Sequence, residues 1–479
     1  MQLNSFAFFV FFVAVLAVYW KIHAKYQWVF LLLASYYYFA SWKPAYAGII
    51  LLTTIINYFS GIIIDRSKRH KKSYLFLALI FNLGALLTFK YLQFFTLTLN
   101  DVFKVFNWQF QLPQFKLLLP IGISFYTLQV IGYLLDVYWG KIKPEKHFGF
   151  FALFLCFFPQ LAAGPIERAK HLFPQLKKQH IFDSNEVVSG AKLFTCGLFK
   201  KLIIADNLGM IVDRVFTTLP EYKGLSMTLA VFFYTWQIYA DFSGYTDMAR
   251  GTARMAGVDL LENFHFPYLA TSVQDFWRRW HISLSSWFKD YVYIPLGGNR
   301  YGLPKMILST LIVFTLSGLW HGAAWHFVVW GILHGIWISG ERLIKKVFGK
   351  KSLLIPYVLK VAYTYCVISV FWVFFRANTI TDALYVLQNA SIGIKNFIFP
   401  SYVWASLNQL FIFNIPEMLI VFGALGIAVL LEVFRGNTSL SQVFSRQPVF
   451  IRFIFYSVVI FLIIELRSSQ MKEFIYTRF

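Results

Sequence analysis

Charge is what this chain lacks. Only 14% of its 479 residues are Asp, Glu, Lys or Arg, where a soluble domain carries roughly 25%. The remainder is apolar: 58% of residues are hydrophobic, and Phe alone occurs 55 times. That balance excludes a soluble globular fold. Acidic residues are scarcest, 22 against 44 basic ones, for a net charge of +22. In a soluble chain the excess would point to nucleic acid. Here the cations stand in short clusters beside long apolar runs, the pattern of membrane topology and of contact with anionic lipid headgroups. Membrane lipids are expected partners and nucleic acid is not.

Cysteine is nearly absent. Cys156, Cys196 and Cys366 lie in apolar surroundings without metal-ligand spacing, so they read as small buried apolar residues and no disulfide is expected. A phosphate-cradling glycine loop and a GxSxG elbow are also missing. No HxxxH or HxH pair has an acidic third ligand at a convincing spacing, so no metal is expected. The apolar residues come in continuous blocks and do not alternate, which excludes a β-barrel. An all-α polytopic membrane protein remains.

In order, apolar runs cover 4–20, 27–42, 45–64, 74–98 and 117–139. Basic clusters KIHAK (21–25), DRSKRHKK (65–72) and KIKPEKH (141–147) alternate with the turn at Lys43–Pro44 and a mixed loop at 99–116. Clusters of this kind stay in the cytoplasm, which puts the N-terminus outside. No small-residue cleavage site follows the first run, so it reads as a span and not a removed leader. Residues 148–163 are apolar but short, end in FFPQLAAGPIER, and have basic sequence on both sides. They read as a re-entrant element, tolerated at depth only when packed in protein or lining a cavity. Residues 186–216 are helical but interrupted by Lys192, Lys200, Lys201, Asp206, Asn207 and Asp213. They fit either an interfacial amphipathic helix or a helix with a polar face on an internal cavity. Later runs at 353–376, 412–434 and 449–466 bring the expected total to about eight crossings, with an amphipathic stretch at 377–394 and the C-terminus outside.

Polar groups at membrane depth are costly and mark function or pairing. Asp241 and Asp247 interrupt the run at 227–250, with Arg250 or Arg254 as candidate ion-pair partners. Residues 271–294 form one amphipathic helix or two short ones. Thr271 and Gln274 have capping-box spacing. Trp277, Trp280, Leu284 and Tyr291 share an apolar face, while His281, Ser285 and Lys289 share another. Two arms, 304–320 and 325–340, then make a hairpin with basic residues at both feet: Arg300 and Lys305 at one, the 341–351 cluster at the other. Both feet belong in the cytoplasm. Each arm is about 25 Å long at 1.5 Å per residue, so His321 sits at a deep apex. A histidine at a helix break, open to a cavity, is the usual general base for activating a hydroxyl. His147, His265, His326 and His334 read as satisfied core residues. On the residues alone, the chain is a membrane enzyme or a transporter with buried histidines.

The stretches FFPQLAAGPIER, GLFKKLIIADNL, QIYADFSGYTDMARG, QDFWRRWHISLSSWFKDYVYIPLGGNR, SGLWHGAAWHF and WVFFRA, with the FIYTRF ending, resemble the membrane-bound O-acyltransferase (MBOAT) family. Within it they resemble the branch of bacterial membrane subunits that O-acetylate alginate or peptidoglycan. The likeness runs from about residue 150 to the C-terminus. It implies a single integral membrane domain, 1–479, with N-terminal spans (1–147), a catalytic helical core (148–351) and C-terminal spans (352–479). It implies tilted helices around a central funnel or tunnel, in the bacterial inner membrane. By the same resemblance His321 and His281 are the catalytic positions. Trp277, Arg279, Trp280, Trp320, Gln237, Asp241, Ser243 and Tyr245 are expected along the tunnel, with Arg279 or Trp280 beside His281 as donors to an oxyanion. No bound cofactor is expected. The implied donor is acetyl-CoA, the acceptor a cell-wall or exported polysaccharide, and the partner a periplasmic SGNH-type acetyltransferase. Lys200, Lys201 and Arg300 are candidate contacts for the CoA phosphates, although topology alone explains those cations. The alternatives are an acetyl-group transporter without acyl-transfer chemistry and a D-alanyl transferase for teichoic acid.

Overall fold

The computed structural model describes residues 1–115, 117, 119–161, 164–349, 356–412, 414–434, 447–465 and 474. Its architecture is helical throughout, and among the described residues β-pairing is confined to one isolated bridge, Phe264 to Trp280. Five helices are long and apolar enough to cross a membrane: Pro44–Arg66, Lys71–Val105, Gly302–His321, Trp325–Phe348 and Tyr357–Arg376. A sixth crossing exists if Pro400–Phe411 and Ile415–Ile427, bent by 99° to each other, count as one. The multi-pass expectation holds, and among the described residues some of the expected runs form helices shorter than a full span. Phe6–Tyr19 has 14 residues, about 21 Å of helix against a core of about 30 Å. Ile123–Tyr138 has 16 residues, nearly all of them buried in protein.

The chain forms two compact units. The first comprises Met1–Ala191, Ala249–Glu262 and Ser286–Pro295. In it the stretch from residue 148 is a helix, Phe148–Cys156, that breaks at Phe157 before a last turn, Phe158–Leu161. Every side chain from Phe151 to Leu161 is buried. The freed polar groups of such a break must be paired inside the protein, and they are. The Phe158 N–H donates to Ser35 Oγ at 3.2 Å. Gln129 donates to the Phe154 carbonyl at 2.7 Å, and Gln160 donates to the Gln129 side chain at 2.7 Å. The Phe158 ring packs on Phe8, Phe11 and Tyr38.

The second unit comprises Lys192–Met248, Asn263–Ser285 and Leu296–Phe479. The expected hairpin is there. Its first arm, Gly302–His321, ends on His321, and the return, Trp325–Phe348, follows an N-cap at Ala324. Small residues let the arms touch backbone to backbone. A Cβ on Gly318 would collide with the Phe327 carbonyl, and one on Gly331 would collide with the Phe314 carbonyl. The Tyr357–Arg376 helix lines the hairpin with Phe371, Trp372 and Phe375, all buried.

Candidate active site

His281 is built by a break in the amphipathic stretch. The helix Val273–Arg279 starts at Ser272, whose side chain accepts the Asp275 N–H, while Asp275 accepts the Thr271 N–H. The cap is therefore one residue later than the Thr271 and Gln274 spacing suggested. The helix stops at Trp280, which turns extended to bridge Phe264, and a second helix runs Ile282–Phe288. Between them His281 has φ +44°, a left-handed conformation that a side chain other than Gly adopts at a cost of about 1–2 kcal/mol. Asn263 holds it there. The Asn263 carbonyl accepts the Ile282 N–H at 3.0 Å. Its Oδ1 accepts the Ser283 N–H at 3.1 Å and lies 3.4 Å from His281 Nδ1. Because a backbone donor identifies Oδ1 as an acceptor, Nδ1 of His281 is the protonated nitrogen and Nε2 carries the lone pair.

His321 comes to the same place from the other direction. The two imidazole centroids are 6.5 Å apart, and both side chains are buried. Around His321 stand Trp320 at 4.9 Å, Trp330 at 5.1 Å and Phe375 at 5.4 Å. Around His281 stand Phe242 at 4.7 Å and Trp320 at 6.1 Å. The two rings are tilted by 57° to each other, so each can meet a different atom of one reacting group. Trp280 and Trp330 both pack on Trp372, all three are fully buried, and their indole N–H groups have no acceptor among the described residues. Trp330 touches His321 directly, and the three indoles are the spare donors of the cage.

The other tunnel candidates separate. Tyr245 stacks on Phe474 at 4.3 Å, and Phe474 also meets Phe242 at 5.8 Å, so Phe474 reaches the shell around His281; the rest of the FIYTRF stretch lies outside the described residues. Gln237 and Ser243 are buried, with Gln237 Oε1 and Ser243 Oγ unbonded among the described residues. Trp277 faces away from both histidines and donates to His334 Nδ1 at 3.1 Å. Arg279 is no donor to the site: its guanidinium pairs with Asp275 at 3.1 Å and is part-exposed.

Among the described residues the ion-pair partner of Asp241 is a lysine, neither Arg250 nor Arg254. Lys201 lies between Asp241 (2.7 Å) and Asp206 (2.9 Å), all three buried, and Lys200 pairs with Asp247 at 2.7 Å. A π-helical turn, Lys200–Ala205, aims both lysines inward, and close approach of Gly197 and Gly244 brings the two helices together. That settles the open reading of 186–216 in favour of an inward polar face, although the face is filled by ion pairs. It also removes Lys200 and Lys201 as contacts for CoA phosphates. Of the remaining histidines, His326 is satisfied by the Phe374 carbonyl at 2.9 Å. Asn263, Trp330 and Phe375 were not anticipated. No spacing pattern links Asn263 to His281, and the two aromatics are indistinguishable in sequence from core residues.

Comparison with known proteins places this geometry. Residues 145–377 match the profile of the MBOAT, membrane-bound O-acyltransferase family. The chain is similar to the peptidoglycan O-acetyltransferase of Helicobacter pylori, 37% identical over 388 residues that cover 75% of this chain and 73% of that protein. It is similar to a probable alginate O-acetylase of Pseudomonas aeruginosa, 38% identical over 380 residues, covering 78% and 72% of the two chains. A teichoic acid D-alanyltransferase of Bacillus subtilis matches at 26% over 253 residues, 51% of this chain and 64% of that one. The matched profile contains both histidines, the hairpin and the Asn263 clamp, and the chain belongs to the membrane-bound O-acyltransferase family as a multi-pass O-acyltransferase.

Proposed function

We propose that this protein takes an acetyl group from acetyl-CoA at the cytoplasmic face of a bacterial inner membrane. The acetyl group is delivered to hydroxyls of a cell-wall or exported polysaccharide, peptidoglycan or alginate-like, through a periplasmic SGNH-type acetyltransferase. The observation that carries the reading is the pair of buried imidazoles 6.5 Å apart at the hairpin apex. His321 acts as general base. It takes the proton of the incoming hydroxyl, whose oxygen attacks the thioester carbonyl. The tetrahedral intermediate collapses with expulsion of the CoA thiolate, which recovers the proton from His321. As the last residue of its helix, His321 gains its positive charge where the helix dipole favours one, worth about 0.3–1 kcal/mol. His281, with its lone pair on Nε2, serves as a hydrogen-bond acceptor that orients the donor. The indole N–H groups of Trp280 and Trp330 replace Arg279 as the donors available to a developing oxyanion.

The acetyl branch is favoured over D-alanyl transfer because the O-acetylase relatives match more of the chain at higher identity than the D-alanyltransferase does. The test uses purified protein in liposomes with radiolabelled acetyl-CoA and a hydroxyl acceptor. His321→Ala abolishes acceptor-dependent CoA release while membrane insertion and thermal melting stay at wild-type values. Full activity in that variant sinks the assignment. Acetyl movement across the bilayer without any His321-dependent thioester cleavage identifies a conduit instead of an enzyme.

A further inference from the structure

A second site lies in the first unit. An open cavity of about 200 Å³ is lined by Lys25, Lys177, Lys178 and His180, with Trp28 and Leu31 among its apolar walls. Two segments that are distant in the chain meet there: the link after the first helix with the start of the second, and the end of the short helix Ala169–Lys177. The charge pattern puts each of these on the cytoplasmic side independently. The cations are not accounted for by neighbours. Lys177 is paired with Glu145, but Lys25 and Lys178 have no carboxylate partner among the described residues and are exposed. Burial pushes the His180 imidazolium below the ordinary value, and the Lys178 cation adds to that, against a hydrogen bond to the Gln175 carbonyl.

The walls have the complementary character. Leu31 is buried, and Trp28 packs edge-on to His147 and against Phe150, each at 4.9 Å. A cavity with two unpaired ammonium groups at the mouth and an aromatic, aliphatic wall matches a ligand that carries a phosphate next to apolar bulk. Basic pockets between membrane helices on the cytoplasmic side take such headgroups. We propose that this cavity binds a phosphate group, carried by an anionic phospholipid of the cytoplasmic leaflet, with Lys25 and Lys178 as its cationic contacts. The rival source of the same chemistry is the phosphate end of CoA. The proposal does not depend on the acetyl-transfer reading.

The experiment uses full-length protein stripped of lipid in an uncharged detergent. Dioctanoyl phosphatidylglycerol, dioctanoyl phosphatidylcholine, 3′,5′-ADP and inorganic phosphate are titrated separately and followed by native mass spectrometry and thermal shift. The expected result is one saturable phosphatidylglycerol adduct that raises the melting temperature. It is weakened about tenfold or more in Lys25→Gln/Lys178→Gln, whose melting without lipid and whose CoA release in neutral lipid stay at wild-type values. Three results overturn the proposal: an adduct unchanged in the double variant, equal binding of phosphatidylcholine, or binding of 3′,5′-ADP with none of phosphatidylglycerol. The last assigns the cavity to CoA.

Discussion

His281 shows how much backbone strain the site tolerates for one ring. Its φ of +44° persists only because Asn263 ties the backbone on one side and the imidazole on the other, as strained residues at functional sites are held by their surroundings. Truncation of Asn263 frees Nδ1 and lets the ring turn. We therefore expect Asn263→Ala to lower kcat about 100-fold, the usual effect of a misplacement near 1 Å, with KM nearly unchanged. Because Asn263 acts through His281, Asn263→Ala added to His281→Ala costs nothing further, a non-additivity that residual CoA release measures. A multiplicative loss in the double variant means Asn263 has a separate role. At this scale the sequence was informative where a residue is chemically costly. His281 and His321 stand out because an ionisable ring in an apolar run needs a reason. Asn263, Trp330 and Phe375 do not, since their importance lies in which ring they touch, and touching is a product of the fold.

Among elements, the hairpin was legible and the π-helical turn was not. Two apolar arms with basic feet define a hairpin by length and charge, and Gly318 and Gly331 let it close. The turn at Lys200–Ala205 inserts an extra residue per turn, which no hydrophobic period reports, and it reassigns the partners of Asp241 and Asp247 from arginines to lysines. Burial works against the Lys201 cation, yet Asp241 and Asp206 outweigh it and raise its pKa above the ordinary lysine value. The triad is therefore a charged structural joint between two helices. Removing one member leaves the other charges buried without compensation, at a cost of about 3–5 kcal/mol. Lys201→Met is expected to lose that much in thermal stability measured in detergent. Lys201→Met/Asp206→Asn/Asp241→Asn recovers most of it, since neutral polar and apolar groups replace the set together. A triple variant no more stable than the single one shows that the charges serve something besides packing.

For the whole molecule, apolar runs alone do not say which helices meet lipid, because a buried helix and a lipid-facing one are equally apolar in sequence. Ile123–Tyr138 is covered by protein and needs no bilayer length. Sidedness is a different kind of inference, since it rests on where cations are left between runs. The proposed transfer depends on it: the donor enters from the side of the hairpin's feet and the acceptor from the side of its tip. The first arm has 20 residues, about 30 Å of helix, enough to carry His321 across the full apolar core. Cysteine accessibility tests this in cells, after Cys156, Cys196 and Cys366 are replaced by Ser. Asn299→Cys and Lys346→Cys, one at each foot, react with a membrane-impermeant maleimide only once the inner membrane is opened. Ser391→Cys, in the segment after the Tyr357–Arg376 span, reacts in intact cells whose outer envelope has been permeabilised. Labelling of the two feet from opposite sides breaks the hairpin reading. Labelling of both feet from outside inverts the whole topology and with it the direction of acetyl transfer, while leaving the pairing of His281 and His321 untouched.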